Sequence, residues 1–123
     1  MKRVLVVDDN RWIREALSDR LREHLGDVAV TAASTGREAL DIMTTDGVDL
    51  LITEVDLPGM NGYELINEVR HQRPVMPIMV TTDDCSLKVV ELLTSLGVNR
   101  WIEKPFDGKA IAKAVRTELD RLA

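Results

Sequence analysis

The feature that most restricts the fold of this 123-residue chain is the alternation of short apolar runs with segments of helical periodicity. The predicted strands are residues 3–7, 28–32, 48–53, 78–82 and 98–102. From Val4 to Val7 the first run is continuously apolar, as expected for a strand that is covered on both faces. The pattern predicts an α/β fold, a doubly wound, five-stranded parallel sheet in the order 2-1-3-4-5.

Apolar residues at steps of three and four predict a helix after each strand. Four of these helices are predicted at residues 11–25, around 39–43, at about 63–71 and at 86–96. Ser34 is predicted to cap the second helix, and Asp107 the fifth. The fifth helix carries an apolar stripe formed by Ile111, Val115, Leu119 and Leu122.

Composition limits the class of protein and its partners. The length and the hydrophobic content of 45% predict one domain, residues 1–123. A net charge of -5 argues against direct nucleic-acid binding, which needs clustered Lys and Arg. The single cysteine, Cys85, excludes an internal disulfide, and the apolar runs are too short for a signal peptide or membrane span. We therefore expect a cytoplasmic protein, either stand-alone or a domain of a longer one.

Polar residues stand where four of the predicted strands end. They are Asp8-Asp9, Glu54, Thr82 and Lys104-Pro105. Strands 1 and 3 are neighbours at the switch point of such a sheet, so their three carboxylates are expected to lie together. Carboxylates that are this close repel, which predicts raised proton affinity or a bound cation. Oxygen ligands without His or Cys favour Mg²⁺ or Mn²⁺.

These residues give the whole chain a resemblance to the receiver domain of two-component response regulators, the chemotaxis-regulator-like superfamily. The resemblance rests on Asp8-Asp9, Thr82, Lys104-Pro105-Phe106 and the four-residue step from Glu54 to Pro58. It implies a flavodoxin-like (βα)5 fold and a Mg²⁺-dependent pocket in which a carboxylate takes up a phosphoryl group. It also implies a signalling module that is not an enzyme, beyond self-phosphorylation and self-dephosphorylation.

The resemblance assigns a role to each residue of the pocket. Asp9 would be the main metal ligand, Asp8 would hold a metal-bound water, and the backbone carbonyl of Asp56 would complete the site. Glu54 would occupy the phosphoacceptor position, where the family has aspartate. The remaining roles are a phosphoryl contact for Lys104, a cis Lys104-Pro105 bond, a phosphoryl hydrogen bond for Thr82, and a switch aromatic, Trp101, that couples to Thr82.

Glu54 is the departure from the family pattern, because its carboxylate lies about 1.5 Å further out than that of aspartate. Three consequences stay open. Glu54 mimics the phosphorylated state, or it pairs with Lys104 and locks the pocket, or it is an engineered change in a phosphorylatable regulator. Asp56 is a weaker candidate acceptor, because the Leu57-Pro58 turn and the spacing to Pro58 place it beyond the strand.

The resemblance also implies partners. A histidine kinase or phosphotransfer protein would supply phosphate, and a downstream protein would bind helix 4, strand 5 and helix 5, a surface that also forms homodimers in the family. The alternative is a pseudo-receiver, a protein-binding scaffold that never carries phosphate. Trp12 is expected to be exposed near the mouth of the pocket.

Overall fold

The computed structural model describes residues 1–121, in which five strands and five helices alternate. All neighbouring strands are parallel, and their order is β2-β1-β3-β4-β5, which confirms the predicted fold class. The strands are β1 (Lys2–Val7), β2 (Val28–Ala33), β3 (Leu50–Glu54), β4 (Ile78–Thr82) and β5 (Arg100–Glu103). The helices are α1 (Arg11–His24), α2 (Gly36–Thr45), α3 (Gly62–Gln72), α4 (Leu87–Ser95) and α5 (Gly108–Asp120).

The sheet is covered on both faces, and alternate residues of each strand point to opposite sides. Leu5 and Val7 of β1 pack in a cluster with buried residues of α2, α3 and α4. Val4 and Val6 pack in a second cluster with buried residues of α1 and α5. Each fully buried side chain of this kind contributes about 1.5–3 kcal/mol relative to an exposed one. The two layers hold the carboxyl ends of the strands in a fixed arrangement.

The predicted bounds of four strands were wrong by one or two residues, and those of β4, 78–82, were confirmed. The paired part of β3 starts at Leu50 and includes Glu54, whose backbone is in register with Thr81 of β4. β5 starts at Arg100 rather than at residue 98. Just before these strands, Asp49 and Asn99 accept hydrogen bonds from the neighbouring strands with their side chains, in addition to donating through their backbone N–H groups. The Asp49 carboxylate accepts from Arg3 N at 2.8 Å, and Asn99 Oδ1 accepts from Ile78 N at 3.3 Å.

One of the two predicted helix caps was wrong. Thr35, not Ser34, caps α2, because its hydroxyl accepts from Glu38 N at 3.1 Å while the Ser34 backbone donates to the Glu38 carboxylate. Asp107 caps α5 as predicted, accepting from Lys109 N at 3.0 Å. Leu122, the last member of the predicted apolar stripe, lies outside the described residues. Within residues 1–121, none of the helices has the length and apolar character that crossing a membrane requires.

Candidate functional site

The turn after β1 places two carboxylates at the edge of the sheet. Asp8 is 1% exposed, and its N–H extends the ladder by donating to Ala33 O at 3.2 Å. Its Oδ1 accepts from Asn10 N at 2.8 Å, and its carbonyl accepts from Arg14 Nη1 at 2.8 Å. The Asn10 side chain caps α1, accepting from Ile13 N. These bonds fix the turn, so that Asp8 is buried while the neighbouring Asp9 is exposed.

Glu54 ends β3 with a side chain that is buried in the same place. The residue is 6% exposed, and its carbonyl accepts from the Thr53 hydroxyl at 2.9 Å. The first turn of α3 lies directly against this carbonyl, because a Cβ added at Gly62 would lie 2.3 Å from the Glu54 oxygen. Only glycine allows this approach. The start of α3 therefore fixes the position of the Glu54 backbone.

Lys104 crosses the edge of the sheet to reach both buried carboxylates. The residue follows β5, its N–H donates to Thr82 O at 2.8 Å, and the Lys104-Pro105 peptide bond is cis. Its Nζ lies 3.1 Å from Asp8 Oδ2 and 3.4 Å from Glu54 Oε2. One ammonium thus bridges two carboxylates in a part-buried setting, where charge-assisted hydrogen bonds are strong.

The acidic group has the ligand chemistry of a magnesium or manganese site. One carboxylate oxygen from each of Asp8, Asp9 and Glu54 lies within 4.8 Å of the others. The set contains oxygen only, which suits hard divalent cations. Lys104 supplies a single positive charge for the three acids, so the cluster keeps an excess of negative charge when all three are ionised. The residues present therefore fit the cation that the resemblance implies.

The same crowding changes the proton affinity of the cluster. Burial, a hydrogen bond with Asp8 and the negative charge of Asp8 raise the pKa of Glu54 to about 8, against the opposing effect of Lys104. For Lys104, burial alone would lower the pKa, but the charges of Asp8 and Glu54 raise it. Burial and the carboxylate of Asp8 thus favour the neutral form of Glu54, whereas Lys104 favours its ionised form.

Thr82 lines the crevice beside Glu54, whereas Trp101 lies in β5 and packs against the core. Thr82 is 5% exposed, and its hydroxyl donates to Asp84 O at 3.1 Å and accepts from Asp84 N at 3.0 Å. Among the described residues it makes no hydrogen bond to Glu54. Trp101 lies in β5, is partly buried and packs against the core on the α2–α4 side of the sheet. No hydrogen bond joins it to Thr82.

Asp56 lies in the loop after β3 and is exposed. It lines a crevice of about 30 Å³ together with Glu54, Thr82 and Lys104, a volume on the scale of one or two water molecules. Trp12 is 76% exposed and lines a second groove, which also contacts Lys104. His24 and His71, for which the sequence gives no metal-binding partners, are exposed.

Three residues that support the site were not predicted. Asn10 fixes the Asp8 turn, and its position before a helical stretch is a typical N-cap signal. Gly62 allows α3 to touch β3, and the Asn61-Gly62 pair in the turn segment hinted at a close approach. Arg14 contacts a backbone carbonyl, a kind of contact that has no sequence signature.

Known proteins share the sequence pattern and the fold of this chain. The sequence model of the family described as the response regulator receiver domain matches residues 4–116. The chain belongs to the response regulator receiver domain family. It is 37% identical over 121 residues to a chemotaxis protein CheY homolog of Campylobacter jejuni, covering 95% of this chain and 92% of that protein. In general, receiver domains bind Mg²⁺ in the acidic pocket and interact with histidine kinases and downstream effectors.

Two further relatives place this receiver among both short and long proteins. The crystallised chemotaxis regulator CheY4 of Vibrio cholerae has the same fold, with a TM-score of 0.89 and 31% identity over 96% of this chain and 98% of that one. The probable transcriptional regulator ycf27 of Cyanidium caldarium is 35% identical over 120 residues, or 97% of this chain. The chain spans only about half, 47%, of the length of that regulator.

Proposed function

We propose that residues 1–123 form a single receiver domain that switches protein partners in two-component signalling, in the cytoplasm, and that Glu54 makes it independent of phosphorylation. The observation that carries the proposal is the position of Lys104, 3.4 Å from Glu54 Oε2 and 3.1 Å from Asp8 Oδ2. The lysine that would otherwise hold a phosphoryl oxygen is engaged by the side chain at the acceptor position.

The pocket residues would keep their metal-binding role. Asp9 and Glu54 would contact Mg²⁺ or Mn²⁺ directly, Asp56 through its backbone carbonyl, and Asp8 through a water. When bound, such a cation supplies positive charge against the carboxylates and a contact for phosphoryl oxygens. The Asp8 carboxylate is already held by Asn10 N and Lys104 Nζ, so its position does not depend on a bound cation.

Glu54 is poorly placed to accept a phosphoryl group. In-line transfer needs near-attack geometry, and a displacement of about 1 Å costs on the order of a hundredfold in rate. The additional methylene moves the carboxylate by about 1.5 Å. The crevice beside it is about 30 Å³, which is room for one or two water molecules. The Lys104 contact and the bonds of Thr82 to Asp84 favour a locked pocket over a mimic of the phosphorylated state.

The partners follow from the family. A histidine kinase or a phosphotransfer protein would dock near the pocket, whose mouth carries the exposed Trp12. A downstream protein would bind the surface formed by α4, β5 and α5, where Leu87 and Leu92 are exposed on α4, and a homodimer would use the same surface. The chain would act as a signalling module rather than an enzyme, without direct contact to nucleic acid.

The test is intact mass after incubation with Mg²⁺ and acetyl phosphate, on the parent chain and on Glu54→Asp. We expect a phosphoryl adduct on Glu54→Asp alone, which would also show whether the glutamate is the only obstacle to phosphorylation. Asp56→Asn in the Glu54→Asp background is the control for the second carboxylate and should leave the adduct unchanged. An adduct on the parent chain would overturn the proposed block.

The second candidate is the pseudo-receiver scaffold, and the raised pKa of Glu54 favours it. Burial and the charge of Asp8 favour a neutral Glu54 carboxyl, and Lys104 contacts both side chains, so the cluster can be balanced without a cation. If neither chain gains a phosphoryl group and Mg²⁺ leaves tryptophan fluorescence unchanged in both, this scaffold function is the better conclusion. A Mg²⁺ response without an adduct in the parent chain would keep the first proposal.

A further inference from the structure

The two ends of α4 are attached to the rest of the domain in different ways. At its carboxyl end, Gly97 adopts φ +73° and donates to Thr94 O, while Val98 N donates to Leu93 O at 3.0 Å. This is a Schellman motif, which closes the last turn of the helix. At its amino end, the N-cap residue Ser86 makes no side-chain capping bond. Leu93 is the only fully buried residue of α4.

The guanidinium of Arg70, in the last turn of α3, holds the carboxyl end of α4. It donates to Leu96 O at 3.3 Å and to Gly97 O at 2.7 Å, the two carbonyls that follow α4. It also donates to the carbonyls of Arg73 and Met76, and more weakly to Asn99 Oδ1 at 3.5 Å. A cation at the carboxyl end of a helix is stabilised by the helix dipole.

Two properties make this contact a specific one. All the partners of Arg70 are carbonyl oxygens, and none of the salt bridges in the described chain involves it. Burial lowers its pKa, as expected for a charge removed from water, but arginine remains charged. A Cβ at Gly97 would lie only 3.2 Å from Arg70 Nε, so the glycine also gives the guanidinium room to approach.

At its amino end, α4 is connected to the pocket instead. The Thr82 hydroxyl exchanges two hydrogen bonds with the backbone of Asp84, and Asp84 Oδ1 accepts from Ser86 N at 2.9 Å. A short chain of bonds thus runs from the buried end of β4 to the first turn of α4. A movement of the Thr82 side chain would therefore displace the amino end of α4 before the carboxyl end.

We propose that Arg70 is the fulcrum of α4. It is a positioning residue that fixes the carboxyl end of the helix to α3, so that a change at Thr82 turns the amino end about a fixed point. Without this contact the helix would shift as a whole or fray from its carboxyl end. The fulcrum itself follows from contacts outside the pocket, and only its use in signalling rests on the proposed function.

The test is hydrogen exchange of backbone amides, without metal or phosphate, in the parent chain, Arg70→Gln and Arg22→Gln. Arg22 is the matched control, because its guanidinium donates to one backbone carbonyl, Val30 O of β2, and pairs with the exposed Asp19, on the opposite face of the sheet from α4. We expect Arg70→Gln to accelerate exchange at Leu96, Gly97 and Val98 at least tenfold and at Val90 less than threefold. Uniform acceleration that includes β1 and β3, or no acceleration beyond the control, would overturn the proposal.

A second set of variants tests the amino end of α4, which we expect to move. Asp84→Ala removes the bond to Ser86 N and should accelerate exchange at Val90 more than at Leu96. In Glu54→Asp with Mg²⁺ and beryllofluoride, protection should change at the amino end of α4 only, and Arg70→Gln should extend that change to the carboxyl end. If beryllofluoride has no effect but the Arg70→Gln gradient is present, the fulcrum stands and the proposed function fails. If the change already covers the whole helix with Arg70 in place, the fulcrum is wrong.

Discussion

The two halves of the carboxyl edge of the sheet differ in how their polar groups are held. At β1 and β3, Asp8 and Glu54 are fixed by backbone contacts from α1 and α3 and are bridged to each other by Lys104. At β4 and β5, the Thr82 hydroxyl bonds only to the backbone of Asp84 in the following loop, and Trp101 is partly buried without a hydrogen bond to that hydroxyl. The first half is held by contacts within the domain, and we propose that the second half is the one that responds to changes in the pocket.

The largest effect on the β1–β3 half is expected from a change at the contact between α3 and β3. Gly62→Ala would place a Cβ 2.3 Å from the Glu54 carbonyl oxygen, so α3 or β3 must shift. We expect a loss of about 3 kcal/mol in the free energy of unfolding, at the upper end of overpacking effects. Urea denaturation measures it. Gly47→Ala, with no atom within 4 Å of the added Cβ, is the control and should be near neutral. Equal effects of the two changes would show that the close approach does not order the site.

Removing the bridge between β5 and the two acids should have the next largest effect. Lys104→Met leaves Asp8 and Glu54 buried without a positive partner, which we expect to cost about 2 kcal/mol at pH 8, below the range for fully buried pairs because part of the lysine is exposed. The cost should shrink at pH 5, well below the raised pKa of Glu54, where that carboxyl is neutral. Lys109→Met on the exposed start of α5 controls for loss of charge. A pH-independent loss of stability would mean that packing, not charge, dominates.

The raised pKa of Glu54 predicts how stability depends on pH in the absence of divalent ions. The folded state holds the Glu54 proton up to about pH 8, whereas an unfolded glutamate releases it near 4.5. Between these values the folded state binds more protons, so stability is highest at the acid end of the window and falls as the pH rises towards 8. We expect the Tm to fall by several degrees from pH 6 to pH 8, and Glu54→Gln to flatten this slope. If Tm falls with pH equally in the parent chain and in Glu54→Gln, groups other than Glu54 cause the pH dependence.

The smallest effect is expected in the responsive half. Thr82→Val removes a hydroxyl whose two hydrogen bonds both go to the Asp84 backbone, so the loss should be about 0.5–1 kcal/mol. Thr117→Val on the exposed face of α5 is the isosteric control, with an expected change within about 0.5 kcal/mol. A loss above 2 kcal/mol at Thr82 would mean that this half is as firmly organised as the β1–β3 half.

The sequence predicted the parts of the molecule that have a local signature. Continuous apolar runs identified the strands, and Asp8, Asp9 and Glu54 were predicted to lie together because strands 1 and 3 end side by side, as the structure confirms. The starts of β3 and β5 were missed because Asp49 and Asn99 bond the neighbouring strand through both side chain and backbone, and periodicity cannot distinguish such contacts from ladder pairing. Ser34 and Thr35 are equally good caps by composition, and only the position of Glu38 decides between them.

Contacts to the backbone were the ones that the sequence could not predict. Arg14 and Arg70 look like ordinary helical arginines, yet each donates to carbonyl oxygens that lie far away in the fold or in a turn. The bonds of Thr82 to Asp84 were missed for the same reason, because a threonine at a strand end has no marker for the direction of its hydroxyl. Carbonyl oxygens are present at every residue and therefore leave no trace in a sequence pattern.

Because Gly97 packs against Arg70, substitutions at these two positions, 27 residues apart in the chain, should be coupled in evolution. Alanine at position 97 meets two obstacles while the arginine is present, the left-handed backbone and the guanidinium 3.2 Å away. Once the arginine is gone, only the backbone strain of about 1–2 kcal/mol is left. The cost of the second replacement thus depends on whether the first has occurred. Among relatives, the loss of this arginine should precede, rather than follow, the loss of the glycine.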